Sequence, residues 1–207
     1  MEAFGQPCHQ SGLGTGQVDA RHADLGESQF PGQRLNTNHE WMAADHLPIV
    51  ETQDAVRVWH TEEDTAAFAQ TLAHKPALRD AFVELRGDLG AGKTTFVRHL
   101  LRALGIAGRI KSPTYAVVEP HEAPDGLAIF HFDFYRFSDP QEWEDAGFRD
   151  IFAGPGLKLA EWPENAAGRI PLADLAIKIE AMTDQSRTVR LRANTARGRQ
   201  LLAGFVE

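Results

Sequence analysis

The segment GDLGAGKTT, Gly87 to Thr95, constrains this chain more than any other stretch. From Gly87 through Thr94 it fits G-x-x-x-x-G-K-[ST]. In that pattern the backbone N–H groups of Gly87, Asp88, Leu89, Gly90, Ala91 and Gly92 cradle phosphate, Lys93 reaches the outer phosphates and the Thr94 hydroxyl meets Mg²⁺. Such a loop works only between a strand that runs into it and a helix that it opens. AFVELR, Ala81 to Arg86, reads as that strand. KTTFVRHLLRALG then places Phe96, Val97, Leu100, Leu101 and Leu104 on one helical stripe and stops at Gly105. Kinases, GTPase switches and ATP-driven remodelling factors share this loop, so the use made of the terminal phosphate must be read from residues elsewhere.

Two more strands end in acids. AIFHFD, Ala128 to Asp133, is an apolar run with a carboxylate at its C-terminal end, where open α/β sheets place their ligands. LKLAEWP, Leu157 to Pro163, does the same with Glu161. Taken singly, either acid could be a surface residue at a strand end. A phosphate-loop enzyme needs such carboxylates, because Thr94 alone does not fix Mg²⁺ and an attacking water must be oriented or polarised. KSPTYAVVEP, Lys111 to Pro120, intervenes between the loop and these strands. Its proline favours extended backbone before it, which predicts Thr114 and Tyr115 at the start of a new strand. The segment reads either as an ordinary turn before a hairpin returning through HEAPDG, or as a switch that senses the terminal phosphate through Thr114.

Domain organisation follows from where periodicity begins. Before residue 50 there are six Gly, five Gln, four His and no Lys, without helical or alternating apolar patterning. Residues 1–49 are therefore expected to be a disordered extension and residues 50–207 the folded domain. GLGTG, Gly12 to Gly16, has no strand before it and no helix after it, and the four histidines lack ligand-like spacing. Met42 lies just upstream of the ordered sequence and is a candidate native start. DAVRVWH, Asp54 to His60, alternates like an edge strand, and TEEDTAAFAQTLA reads as a helix capped by Thr61 with a capping-box match to Asp64. The net charge of −8 opposes long-range attraction to nucleic acid, so any RNA contact needs a local basic patch or a partner. A single cysteine, Cys8, excludes an internal disulfide framework. No apolar run reaches the roughly 18 residues of a membrane span, and the N-terminus lacks the pattern of a secretory signal. A cytoplasmic location is expected.

Taken together, GDLGAGKTT, KSPTY, VVEP, HFDFYR at His131 to Arg136 and EWPE at Glu161 to Glu164 resemble the TsaE (YjeE) family in order and spacing. The likeness runs from about Val50 to the C-terminus. It implies a small bacterial ATPase that acts with the TsaB and TsaD proteins in making N6-threonylcarbamoyladenosine beside the anticodon of tRNA, with tRNA contact indirect. It also implies ATP phosphates on Gly87 to Thr95 with Lys93 as their charge partner, Mg²⁺ on Thr94 and Glu161, and Asp133 as the acid needed for hydrolysis, either orienting water or holding the metal through water. Thr114 would sense the nucleotide, Trp162 would lie near it, and Glu62 at the start of the TEEDT helix would lie near the adenine.

Rival readings are weaker on the residues. A GTPase would need a guanine-reading N-K-x-D segment, which is missing. A small-molecule or nucleoside kinase would add an arginine-rich lid, and the stretch after Glu161 offers only Arg169. A module that binds ATP without hydrolysing it would not need Asp133 and Glu161. In RTVRLRA, Arg187 to Ala193, Val189 and Leu191 should face the core, with Arg190 and Arg192 outward, either as a solvated face or as a docking stripe for tRNA or an acidic partner. Arg197 and Arg199 follow on a short helix, and Trp143 and Phe148 in EWEDAGFRD could be core or contact residues. The expected fold is α/β, a three-layer phosphate-loop NTPase-like domain. Its mixed sheet should have a parallel centre and antiparallel additions, since the hairpin after SPTY and the IKIE and TVRLR strands lack crossover helices.

Overall fold

Seven runs of alternating or continuous apolar residues pair into one sheet in a computed structural model that describes residues 52–138 and 140–205. The expectations for residues 1–49, including GLGTG, the four histidines and Met42, lie outside the described residues. The strands are β1 (Gln53–Trp59), β2 (Phe82–Arg86), β3 (Val118–Glu122), β4 (Ala128–Asp133), β5 (Leu157–Glu161), β6 (Leu175–Ala181) and β7 (Arg187–Ala193), ordered β1-β7-β6-β2-β5-β4-β3. β6, β2, β5 and β4 are parallel neighbours, whereas β1–β7, β7–β6 and β3–β4 are antiparallel. This is the mixed, centrally parallel sheet that the sequence predicts.

Helix α1 (Glu62–Ala73) starts where Thr61 caps it. The Asp64 N–H donates to Thr61 Oγ1 at 3.3 Å, and the Asp64 carboxylate accepts the N–H groups of His60 and Thr61 at 2.7 and 3.0 Å. Helix α2 (Lys93–Ala103) buries Phe96, Val97, Leu100 and Leu101 completely, each worth about 1.5–3 kcal/mol on burial. It ends at Ala103, with Leu104 as its C-cap, because Gly105 takes the left-handed conformation at φ 89°. With α5 (Ala196–Leu202), these helices cover one face of the sheet, where Trp59, Phe68, Phe96 and Phe205 form an aromatic contact chain.

The opposite face carries α3 (Pro140–Asp145) and α4 (Phe148–Ala153). Trp143 and Phe148 are buried there against Phe132 and Phe134, which makes them core residues. This second layer reaches Phe82, Phe132 and Ala160 on β2, β4 and β5. Over β1, β7 and β6 the same face is lined by Val56, Lys178, Arg190 and Arg192. Val189 and Leu191 point into the core and Arg190 and Arg192 outward, as the alternation predicts.

One local expectation fails. Thr114 and Tyr115 do not start a strand; residues 114–116 form a turn, and β3 begins at Val118. The Val117 N–H donates to the Pro113 carbonyl at 2.7 Å and Val117 itself adopts φ 64°, so the chain coils before it pairs. Hydroxyl contacts from Ser112 and Thr114 to Asp133 on β4 offset that backbone cost.

Candidate functional site

Register brings the acids together. β2, β5 and β4 are adjacent, and their pairing aligns Leu85 with Glu161 and Glu161 with Asp133. The period-two alternation sends Glu161, Asp133 and His131 to the face covered by α2, at the edge where β2 passes into the phosphate loop. Two carboxylates distant in sequence thereby flank the start of that helix.

The loop needs its glycines. Gly87 has φ 136°, and a Cβ there would stand 2.2 Å from the Ile179 carbonyl oxygen on neighbouring β6. Gly92 precedes α2 at φ 113° and supplies no side-chain cap, so the helix's first N–H groups and its positive dipole end face the cleft. The Lys93 ammonium curls back, donating to the Gly87 carbonyl at 2.6 Å and the Asp88 carbonyl at 2.9 Å. Burial pushes Lys93 below the usual lysine range, while the carboxylates of Glu161 and Asp133 act in the opposite direction.

Trp162 closes one side. Its backbone is left-handed at φ 57°, which swings the ring to 4.0 Å from Lys93 Nζ and 5.0 Å from the Tyr135 ring. A non-glycine residue held this way costs on the order of 1–3 kcal/mol. The cation–π contact, about 2 kcal/mol when desolvated, offsets much of that.

Each acid has its own set of partners. Thr94 Oγ1 lies 2.9 Å from both Glu161 oxygens and donates to them. Behind Glu161, the fully buried His131 donates from Nε2 to Oε1 at 2.9 Å. Asp133 Oδ2 accepts from the Ser112 hydroxyl and, at 2.9 Å, from the Thr114 hydroxyl; Oδ1 accepts the Tyr135 N–H at 2.9 Å. The turn that fails to form a strand is thus tied directly to one of the acids.

Lys93, Thr94, Thr114, Asp133, Glu161 and Trp162 line a single cavity of about 220 Å³, together with Leu89, Gly90, Gly92 and Thr95 of the loop. Gly87 and Asp88 contribute the carbonyls that hold Lys93, and Ala91 faces a smaller cleft of about 130 Å³ on the other side of the loop. Glu62 lines that second cleft with Trp59, Thr61 and Arg187, so it is not part of the first cavity. The larger groove of about 740 Å³, on the open face of β1, β7 and β6, holds none of the phosphate-loop residues.

For Mg²⁺ the residues fit: a threonine hydroxyl and a carboxylate meet at 2.9 Å in a cleft with a second carboxylate, all hard oxygen donors. Among the described residues no group of three or more His, Cys, Asp or Glu side chains could hold a metal by itself.

Sequence reasoning missed His131, Ser112 and Tyr135. The i, i+2 spacing of His131 and Asp133 on one strand was the available signal for the histidine, since it puts both on one face.

Fold and site together define a phosphate-loop NTPase-like α/β domain with two carboxylates at the loop's mouth. The profile of the family described as threonylcarbamoyl adenosine biosynthesis protein TsaE matches residues 59–189, and the chain belongs to the TsaE family. It is 41% identical over 138 residues to the tRNA threonylcarbamoyladenosine biosynthesis protein TsaE of Haemophilus influenzae, spanning 67% of this chain and 86% of that relative. It is 36% identical to the Bacillus subtilis protein of the same description, over 65% of this chain and 84% of the relative. The crystal structure of Bacillus subtilis YdiB superposes with a TM-score of 0.59 at 28% identity, covering 74% of this chain and 94% of YdiB.

Proposed function

We propose that this chain is a Mg²⁺-dependent ATPase that supports N6-threonylcarbamoyladenosine formation in tRNA by binding and resetting a complex of TsaB and TsaD relatives. One observation carries the hydrolytic reading: Lys93, the Thr94–Glu161 pair and Asp133 with its hydroxyl partners share one cavity at the start of α2.

In this reading the loop N–H groups and Lys93 bind the phosphates, and Trp162 and Tyr135 wall the site. Thr94 and Glu161 hold Mg²⁺, which when bound supplies charge to offset the phosphate oxygens. Asp133 orients a water for attack on the terminal phosphorus. A P–O bond forms as the bridging bond to the β-phosphate breaks, leaving ADP and inorganic phosphate. The adenine is assigned to the cleft beside Glu62. Ser112 and Thr114 join Asp133 to the 111–117 segment, so nucleotide state is sensed by a surface turn that can be read by a partner. The phosphate then acts as a timing signal, and slow turnover by the isolated protein follows.

The segment after Glu161 bears on the kinase alternative. It folds as a 3₁₀ turn, Pro163–Ala166, with Asn165 donating to the carbonyls of Phe134 and Tyr135 at 2.9 and 3.2 Å. Anchored this way, it does not supply an arginine-rich lid. The test is phosphate release by the wild type beside Lys93→Ala, Asp133→Ala and Glu161→Ala. Loss of Mg²⁺-dependent release in all three is expected. Transfer of phosphate to a nucleoside acceptor in place of release would overturn the reading.

A further inference from the structure

The basic side chains fall into two sets. On the open sheet face, Arg192 donates to both Asp54 oxygens at 2.9 and 3.0 Å, Arg190 donates to Glu180 at 3.3 Å, and Lys178 lies 2.8 Å from Glu180. Carboxylates already answer these cations, which removes most of the attraction the Arg190 and Arg192 stripe could offer a polyanion.

The second set is different. Arg98 and Arg102 on α2 and Arg109 and Lys111 on the loop after it surround a depression of about 430 Å³. Arg102, Arg109 and Lys111 are exposed, and among the described residues none of the three has a carboxylate partner. The acid at the rim, Glu62, is engaged by His99 at 2.9 Å. Arg98 Nε donates to the Ile110 carbonyl at 3.2 Å, pinning the loop to the helix and fixing the walls of the cleft. Four cations against one carboxylate make a local positive site on a chain of net charge −8.

A nearby aromatic ring narrows the ligand class. Tyr115 is 84% exposed, with the Arg136 guanidinium 4.6 Å from its ring centroid. An exposed aromatic three residues along the chain from Ser112 in the cleft wall suits a nucleic acid, in which guanidiniums pair with phosphates and a base can stack on a ring. An acidic peptide would use the charge and leave the ring idle. Ser112 lines both this cleft and the nucleotide cavity, and its hydroxyl donates to Asp133.

We propose that the cleft between α2 and residues 106–112 binds the phosphate backbone of RNA. The choice of tRNA as that RNA rests on the function proposed above, and a direct contact departs from the indirect one that the family resemblance implies.

The test is fluorescence anisotropy of a labelled, unmodified tRNA transcript with the full chain, read across salt between about 50 and 200 mM. The triple variant Arg102→Gln, Arg109→Gln, Lys111→Gln is compared with the double variant Arg190→Gln, Arg192→Gln. The triple variant should weaken binding by at least about tenfold and flatten the log–log salt dependence by about 2–3, while the double variant stays within about twofold. No measurable tRNA binding by the wild type at low salt, or an equal loss in both variants, overturns the proposal. So does displacement of tRNA by a poly-glutamate peptide at comparable concentration, which would make the cleft a site for an acidic protein surface. Phosphate release by the same proteins reports separately on the nucleotide site. A wild type that binds tRNA through the cleft but hydrolyses no ATP would refute the ATPase reading and leave the cleft standing.

Discussion

Replacing His131 with leucine asks whether Glu161 is held in position from behind. The imidazole is fully buried, and Nε2 donates to Glu161 Oε1 at 2.9 Å. Its other nitrogen, Nδ1, is buried with no hydrogen-bond partner among the described residues. A hydrogen bond to a charged acceptor contributes about 1.5–3 kcal/mol. At 1.4 kcal/mol per tenfold, that is about 10- to 150-fold. The loss should fall on the metal-dependent part of ATP binding, because the freed carboxylate faces Thr94 and not the loop N–H groups. Stability should change little, since the substitution also removes the unsatisfied Nδ1. The assay is calorimetric ATP affinity with and without Mg²⁺, beside a thermal melt. His131→Leu should shrink the Mg²⁺-dependent gain in affinity by about tenfold or more, leave Mg²⁺-free affinity within about twofold, and be partly rescued by His131→Gln, whose amide keeps a donor. An equal loss with and without Mg²⁺, or no loss, would refute the positioning role.

Other outcomes rest on the same geometry. Gly87→Ala should destabilise the fold by more than about 3 kcal/mol, since it adds both a left-handed strain and a collision with the Ile179 carbonyl; a urea melt within about 1 kcal/mol of wild type would contradict this. Thr61→Ala should cost about 0.5–2 kcal/mol by uncapping α1. Backbone hydrogen bonds from Thr61 and His60 hold the Asp64 carboxyl below its usual range. Its contribution is therefore present at neutral pH and lost as pH falls through the depressed folded value, so the stability gap between wild type and Asp64→Ala should narrow on acidification. Trp162→Phe should remove part of the tryptophan fluorescence change on adding ATP, because that ring packs on Lys93 while Trp59 lines the cleft assigned to adenine; an unchanged signal would assign it to Trp59 alone.

Local chemistry was the legible part. The phosphate loop, the Thr61–Asp64 cap and the acids ending β4 and β5 are written in short windows where residue type and spacing dictate conformation. The turn at Thr114 was misread because its shape depends on Asp133, nineteen residues away, and on a left-handed Val117 that no propensity announces. His131 was passed over because a histidine in an apolar strand looks like core until β4 is placed beside β5, where Glu161, opposite Asp133 on the same face, comes within reach of the imidazole. The arginines of β7 read either as a solvated face or as a docking stripe because the partner of Arg192, Asp54, lies 138 residues distant and is brought in by the pairing of two sheet strands, while Arg190 meets Glu180 only once β6 and β7 pair. Uncompensated charge is a property of the folded surface.

The most direct test of the proposed function is phosphate release from Mg²⁺·ATP by the full chain, with and without purified TsaB and TsaD relatives, beside Lys93→Ala and Asp133→Ala. Slow release by the chain alone, raised several-fold by the partners and lost in both variants, is the expected result. Rapid release by the isolated protein that the partners leave unchanged would contradict it.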